Sequence, residues 1–467
     1  MNPSIAFDGE EKSNQIRAAI EHDEPRGLRT YTPSLAVIAR SAGLYHWTPE
    51  GRKLADFTSG VLVTNLGHTP RRWLERLRHY LGWTGEALST HDEYVVLPPL
   101  TAYNAISTLE NEANHRLLAS LRSTALGSRM EQVMWAASGS EAIQKSLWAA
   151  LQFQPSKDVI LATRDGFHGK KGLAEAVTGD ERAPNRDPRV QFITFPKDEC
   201  RDEVEREQPI ELAKYRAELD KLLQQFKGRI NCLITEPYLG GGGSYHPQPA
   251  YLQMLAQFCR ENDIIFILDE VQANFGRTGS MYAFETYGIE PDIVVLGKGM
   301  GNGIPVNAAV GRRDVFASLG YGGASDTWSG HPLGCAATLA TLDTFEHEKV
   351  MEHAGRVAPV LAEGLRKLKE LKVVNALRGE GFVWGVEMAD YAGWKANDVA
   401  IECVRSAYLG DSDGNAIHLL GPLAGKVIRI SPPVTITMEQ AKHWTDVLHR
   451  LFGGVEHRLE LASNAVA

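Results

Sequence analysis

Cysteine is scarce in this chain. Five residues in 467 (Cys200, Cys232, Cys259, Cys335 and Cys403) are scattered and odd in number, which excludes a disulfide framework, and no CxxC pair marks a zinc or redox site. A reducing compartment is expected. Long hydrophobic runs are also lacking: nothing approaches the ~20 apolar residues that cross a bilayer. The opening stretch MNPSIAFDGEEKSNQIR has no apolar core of a secretory signal, so cytoplasmic localisation and no membrane partner are expected. Positive charge is not in excess. With 49 basic and 58 acidic side chains the net charge is -9, which argues against a dedicated nucleic-acid binder. Low-complexity tracts, repeats and Pro/Ser-rich linkers are missing as well. What remains is 43% hydrophobic and 23% charged, an ordinary globular composition long enough for two or three domains.

Between Met130 and Ala309, short apolar runs (VMWAA, VILAT, VQFITF, INCLITE, IIFILDE, DIVVLG) alternate with helix-period stretches such as Ile210 to Phe226 and Pro249 to Glu261. Continuous Val/Ile/Leu strands are buried on both faces, so the pattern predicts an α/β domain with a largely parallel, doubly wound sheet. Ahead of it, HWTPEGRKLADFTSG has the turn chemistry of a short hairpin, and the polar first ~30 residues predict a mobile arm. Beyond it, one long helix is expected from Pro332 to about Leu371, followed by two strand-like segments, LRGEGFVWGVEM and KVIRISPPVTIT, of a smaller α+β domain. Gly379 and Gly381 in LRGEG suit a tight turn. The predicted division is an N-terminal arm and hairpin over 1–75, a large α/β domain over 76–345 and a small C-terminal domain over 346–467.

Chemistry-bearing residues gather where strands end. Asp269 closes IIFILD and Lys298 follows the next strand, IVVLG, so both sit at C-terminal strand edges, where open α/β sheets build their sites. A lysine in an apolar, glycine-flanked pocket is suited to Schiff-base chemistry. On this segment alone a structural ion pair is equally compatible. The glycines around Lys298 do not make a nucleotide loop: a GxGxxG pattern from Gly297 meets Asn302, and a Walker loop would need Ser or Thr at Gly299 and glycine at Asp292. In WAASGSEAIQ, Ser138 and Glu141 have capping-box spacing, and Gly139 and Ser140 open a helix N-terminus able to bind phosphate. In RDGFHGKKG, Phe167 could stack on a planar ring or fill core, and His168 more commonly plays a hydrogen-bonding role.

Taken together, WTPEGRKLADFTSGVLVTNLGHTP, SGSEA, FHG, EP with GGGG, DEVQ, FGRTG, GKG, DTWSGHP and RISPP, spread from Tyr31 to Thr437, resemble the class III (ω-amino acid type) aminotransferases. The resemblance implies a pyridoxal-phosphate-dependent transferase fold of the aspartate-aminotransferase type (fold type I). It implies pyridoxal 5'-phosphate as cofactor and a ping-pong transamination through a Lys298 aldimine, from an ω-amino acid or amine to pyruvate or 2-oxoglutarate. Asp269 would pair with the pyridine nitrogen. Ser138, Gly139 and Ser140 would hold the phosphate, Phe167 and Val271 would flank the ring, Gln272 would lie near its oxygen, and His168 and Glu236 would stand close by. Thr327 would reach the phosphate of a neighbouring subunit in a homodimer, alone or paired into tetramers, and Arg429 would take the substrate carboxylate.

The chain departs from the family pattern in places. Gly241 stands where many ω-amino acid enzymes have a second glutamate, Leu239 replaces a common glutamine, and Trp328, Ser329 and His331 differ from the usual aromatic-Gly-Gly-Asn. Asn274 occupies a usual glycine position, where Asn tolerates left-handed backbone. Donor and acceptor therefore stay open, as does the choice between transamination and a decarboxylating transaminase or aminomutase on the same cofactor. A non-catalytic scaffold with this fold is the remote alternative. The basic, aromatic stretch Arg71 to Trp83 has helical apolar spacing and reads as an amphipathic surface helix. His347 and His353 are six apart and do not share a helix face, so no metal site is expected.

Overall fold

The computed structural model describes residues 5–89, 92–183 and 186–466. Two compact units emerge: Arg71–Glu352, and Met1–Pro70 together with His353–Ala467. The first is built on a seven-stranded sheet of β1 (Gln132–Ala136), β2 (Val159–Thr163), β3 (Val190–Ile193), β4 (Ile230–Thr235), β5 (Ile265–Asp269), β6 (Ile293–Leu296) and β7 (Asn307–Gly311). Their spatial order is β1-β7-β6-β5-β4-β2-β3. Only β7 runs against the rest, pairing Ala309 with Met134 of β1 and with Val295 of β6. The other strands share one direction, so the C-terminal ends of β1, β2, β4, β5 and β6 lie along one edge.

The sheet forms because its strands are apolar on both faces, and it is buried because helices cover them. Ala142, Ile143, Leu147 and Ala150 of helix Gly139–Phe153 join Ile160, Ile234, Ile267, Val295 and Ala309 in one core cluster. Each buried Ile or Leu there contributes ~1.5–3 kcal/mol from apolar surface removed from water. The amphipathic reading of the 71–83 stretch fits helix Arg71–Tyr80, which buries Trp73 and Leu77. Its indole donates to Thr341 Oγ1 (2.9 Å), and its basic face is occupied internally, Arg72 and Arg76 pairing with Glu348 at 2.6 and 2.8 Å.

The second unit holds a sheet in the order Arg40–Ala42, Tyr45–Trp47, Lys53–Asp56, Ile417–His418, whose middle two strands are the expected hairpin. The last strand pairs in parallel, His418 opposite Asp56. A separate antiparallel sheet joins Val374–Glu380, Val383–Met388 and Val427–Ile430, so LRGEGFVWGVEM is a hairpin rather than one strand, turning at Gly381 (φ +53°).

Two further expectations change. The long helix after Pro332 is two helices, Pro332–His347 and Val350–Arg366, broken where Lys349 adopts left-handed backbone (φ +51°). The polar N-terminal stretch is not a loose arm: Glu11–Asp23 is helical, and buried Arg17 bonds Glu10 Oε2 (2.7 Å), Tyr408 Oη (3.0 Å) and the Leu35 carbonyl (3.0 Å). A buried guanidinium with a paired carboxylate makes polar sequence compatible with a fixed position. All five cysteines are buried and free. No helix among the described residues is long and apolar enough to cross a membrane.

Candidate active site

Asp269 is the last residue of β5 and is buried, carried there by the apolar run before it. Its Oδ1 accepts the Val271 N–H (3.0 Å) and its Oδ2 lies 2.8 Å from Nδ1 of His168, itself buried in the loop after β2. A carboxylate only accepts, so Nδ1 is the donor and the ring is fixed in that tautomer. The His168 backbone is fixed too: its N–H donates to Thr178 Oγ1 (2.8 Å).

Glu236 follows β4 on the same edge. Its Oε2 accepts the Phe167 N–H (2.9 Å) and its Oε1 the Gly240 N–H (3.2 Å). Burial pushes its carboxyl up to about 7, opposed by nearby His168 and reinforced by the charge of Asp269. The glycines beyond it pack closely against neighbouring side chains. A Cβ at Gly240 would stand 2.1 Å from Gln272 Oε1, and one at Gly241 would stand 3.1 Å from the Cβ of Phe167. Phe167 is 43% exposed, an aromatic face left uncovered beside two buried carboxylates.

Lys298 comes two residues after β6, at the start of a short 3-10 turn, Lys298–Gly301, and has left-handed backbone (φ +46°). Such a φ is uncommon for a side-chain-bearing residue and is found where the surroundings enforce it. A Cβ on Gly297 before it would meet Asn307 Oδ1 at 2.0 Å, so Asn307 would have to shift. Because Asp269 pairs in register with Val295, the half-buried Lys298 emerges just beyond it on the neighbouring strand.

Beyond β1, Ser138 caps helix Gly139–Phe153 through the complete capping box: Ser138 Oγ accepts the Glu141 N–H (3.3 Å) and Glu141 accepts the Ser138 N–H (3.1 Å). A Cβ on Gly139 would press on Val271 at 3.2 Å, so the helix N-terminus and the strand end after Asp269 are close neighbours. Ser140 Oγ accepts the Lys170 N–H (3.3 Å).

The sheet edge thus gathers Ser138, Gly139, Ser140, Phe167, His168, Glu236, Asp269, Val271, Gln272 and Lys298. Thr327 is exposed, in a segment anchored by buried Lys145, whose ammonium bonds Asp326 and Ser329 (both 2.6 Å). Arg429 is buried on Val427–Ile430 of the other unit, opposite Gly385. One local expectation fails: Asn274 is not left-handed. The positive φ falls on Phe275 (+51°), and Asn274 instead donates its amide to the Glu270 carbonyl (2.5 Å). Thr178, Asn307 and Tyr238, whose hydroxyl reaches the Gln272 carbonyl at 3.4 Å, were not signalled by sequence. Only Asn307, a polar residue opening a strand of small apolar ones, offered a hint.

This donor set suits a phosphorylated pyridine aldehyde. Free N–H groups at a helix start accommodate a dianion, a buried carboxylate complements a protonated ring nitrogen, and an amine can bind a carbonyl carbon. The class III aminotransferase family profile matches residues 27–452. The chain is 27% identical to an acetylornithine aminotransferase of Oceanobacillus iheyensis over 88% of its length and 92% of the relative's. It is 28% identical to a 4-aminobutyrate aminotransferase of Mycobacterium leprae over 95% of both. Among solved structures, the PMP-bound form of an aminotransferase from Vibrio fluvialis superposes with a TM-score of 0.79 at 23% identity, over 97% of this chain and 100% of that one. The architecture is fold type I. With a family match along nearly all its length, this chain belongs to the class III aminotransferases, enzymes whose cofactor is pyridoxal 5'-phosphate.

Proposed function

We propose that this aminotransferase takes an amino group from an ω-amino acid or amine and passes it to a 2-oxo acid, pyruvate or 2-oxoglutarate, in two half-reactions. The observation that carries this reading is the placement of Asp269 and Lys298 at adjacent strand ends, β5 and β6, beside the capped start of helix Gly139–Phe153. The names of the relatives, acetylornithine and 4-aminobutyrate aminotransferases, favour a donor whose amino group is distant from a carboxylate.

Pyridoxal phosphate, when bound, supplies an electron sink for negative charge developing at the substrate carbon that bears nitrogen. The chain's own residues do the rest. The N–H groups of Gly139 and Ser140 hold the phosphate, with Ser138 fixing the helix start. Asp269, oriented by His168, would favour a protonated ring nitrogen. Phe167 and Val271 would hold the cofactor, with Gln272 and Glu236 among its neighbours. The Lys298 amine would be the group that binds the cofactor's aldehyde and, when free, would carry a proton to and from the substrate carbon. Arg429 receives a substrate carboxylate through its two-pronged guanidinium. We place Thr327 at the phosphate of a partner subunit in a homodimer, and the enzyme in the cytoplasm.

A panel of single donors with pyruvate or 2-oxoglutarate tests the reading. Turnover of ω-amino acids or amines without CO₂ supports it; CO₂ released in step with turnover means a decarboxylating transaminase. Arg429→Ala should raise KM for carboxylate substrates, and unchanged KM and kcat for all of them removes Arg429 from the site. Thr327→Ala should weaken cofactor retention in a protein that sediments as a dimer.

A further inference from the structure

Away from the cofactor site, the second unit brings three metal-ligating side chains together. His46 lies on strand Tyr45–Trp47 and Asp56 ends strand Lys53–Asp56, while His68 lies in the loop that follows. One ligand atom from each falls within 4.8 Å of the other two. Asp56 Oδ2 lies 3.4 Å from His46 Nε2 and 2.7 Å from His68 Nε2.

The surroundings aim these atoms inward. Asp56 Oδ1 is taken up by the Thr58 N–H (2.8 Å) and hydroxyl (2.6 Å), which leaves Oδ2 to face the histidines. His46 Nδ1 bonds Ser41 Oγ (2.7 Å), leaving Nε2 for the cluster. The His68 backbone is tied to the hairpin by paired bonds with Gly43 (2.8 and 2.9 Å). This is the supporting layer that metal sites use: the second polar atom of His46 and of Asp56 is held so that the ligating atom points one way, and His68 is held through its backbone.

We propose that His46, Asp56 and His68 form a site for a zinc-like divalent cation, with the fourth position open to water. The donor set of two imidazoles and one carboxylate suits zinc. At metal–ligand distances near 2.0–2.2 Å, tetrahedral ligands stand ~3.3 Å apart. The His46–Asp56 separation of 3.4 Å already matches this, and the 2.7 Å His68–Asp56 contact would open by about 0.6 Å as His68 gives up its hydrogen bond. His68 retains 12% side-chain exposure, a way in for the ion, while Asp56 is fully buried. His418, paired in register with Asp56 and with its ring 5.6 Å from that of His46, forms the far wall. The site would clip residues 41–68 into one frame. It departs from the sequence-based expectation of no metal, because spacings of ten and twelve residues across a hairpin and a loop match no local zinc motif.

The test is titration of the holoenzyme with Zn²⁺ against a competing chelator, alongside Co²⁺ spectra and X-ray absorption. The expected result is one high-affinity Zn²⁺ per chain, a higher Tm with Zn²⁺, and two imidazoles in the metal's coordination shell. In His46→Ala and His68→Ala that affinity should fall at least ~10-fold, the least that loss of even a ligand's supporting partner costs. No stoichiometric Zn²⁺, a shell without imidazole, or affinity unchanged in His46→Ala overturns the proposal. If the alanine variants do not fold, the wild-type absorption spectrum and the conservative His46→Asn decide it.

Discussion

Two buried carboxylate–imidazole clusters, one in each unit, begin alike and end differently. In both, an aspartate closes a strand, one carboxylate oxygen accepts the N–H two residues on (Val271 at 3.0 Å, Thr58 at 2.8 Å), and the other meets an imidazole (His168 at 2.8 Å, His68 at 2.7 Å). Asp56 then gains a threonine hydroxyl and a second histidine. Burial alone would raise its carboxyl, but the hydrogen bonds of His46 and His68 outweigh that and hold it well below the usual range. Asp269 gains instead a second buried carboxyl, Glu236, pushed up to about 7 by burial. The first cluster closes two imidazoles around one carboxylate; the second sets two buried carboxyl groups beside an exposed aromatic ring and a lysine at the sheet edge. What surrounds the carboxylate, rather than residue type, distinguishes the two clusters.

The largest effect should come from Lys298→Ala: turnover falls ~10⁴-fold or more, since both covalent anchoring and proton transfer are lost, and borohydride no longer fixes the cofactor to the protein. Asp269→Asn keeps the shape and removes the charge. A loss of ~10²–10³ in kcat with little change in Tm is expected, read by steady-state kinetics and calorimetry. Asp56→Asn, in metal-free protein, should do the reverse. Breaking a buried charged network costs ~2–4 kcal/mol of stability, while kcat of the folded fraction stays within a few-fold of wild type. If Asp56→Asn abolishes kcat without lowering Tm, the division of roles between the two clusters is wrong.

How far each cluster was legible in sequence follows from how its members are held. Asp269, Lys298 and Ser138 end apolar runs, so strand prediction alone put them on one edge, and the strands were readable because Val, Ile and Leu are packed on both faces. Strand β7 left no such run: Asn307-Ala-Ala-Val-Gly is small because it is squeezed between β1 and β6, where a Cβ on Gly311 would meet the Asp292 carbonyl at 2.6 Å. His46, Asp56, His68 and His418 show no common period, and only the parallel pairing of Ile417–His418 with Lys53–Asp56 brings the last of them alongside. The helix break at Lys349 was also invisible, since no glycine or proline marks it. The N-terminal helix escaped notice because its key buried residue, Arg17, is a cation satisfied by groups distant in sequence.

The smallest effect tests the comparison through pH. In the unfolded chain a glutamate loses its proton near the ordinary value of 4.5, whereas folded Glu236 keeps it until about 7. Between these values the folded state binds a proton that the unfolded state has released, so unfolding free energy falls as pH rises. The contribution of Glu236 is fully present below about 4.5 and is lost as pH passes 7. Glu270, pushed up to about 8 by burial even though it accepts the Ala283 and Phe284 N–H groups, slopes the same way. Cofactor-free wild type should therefore lose stability from pH 5 to 8, and Glu236→Gln should flatten that loss by ~1–3 kcal/mol. Denaturant unfolding at several pH values measures it. A slope identical in wild type and Glu236→Gln would mean that Glu236 is already ionised in the folded protein, and that the negative charge beside Asp269 is larger than the buried geometry implies.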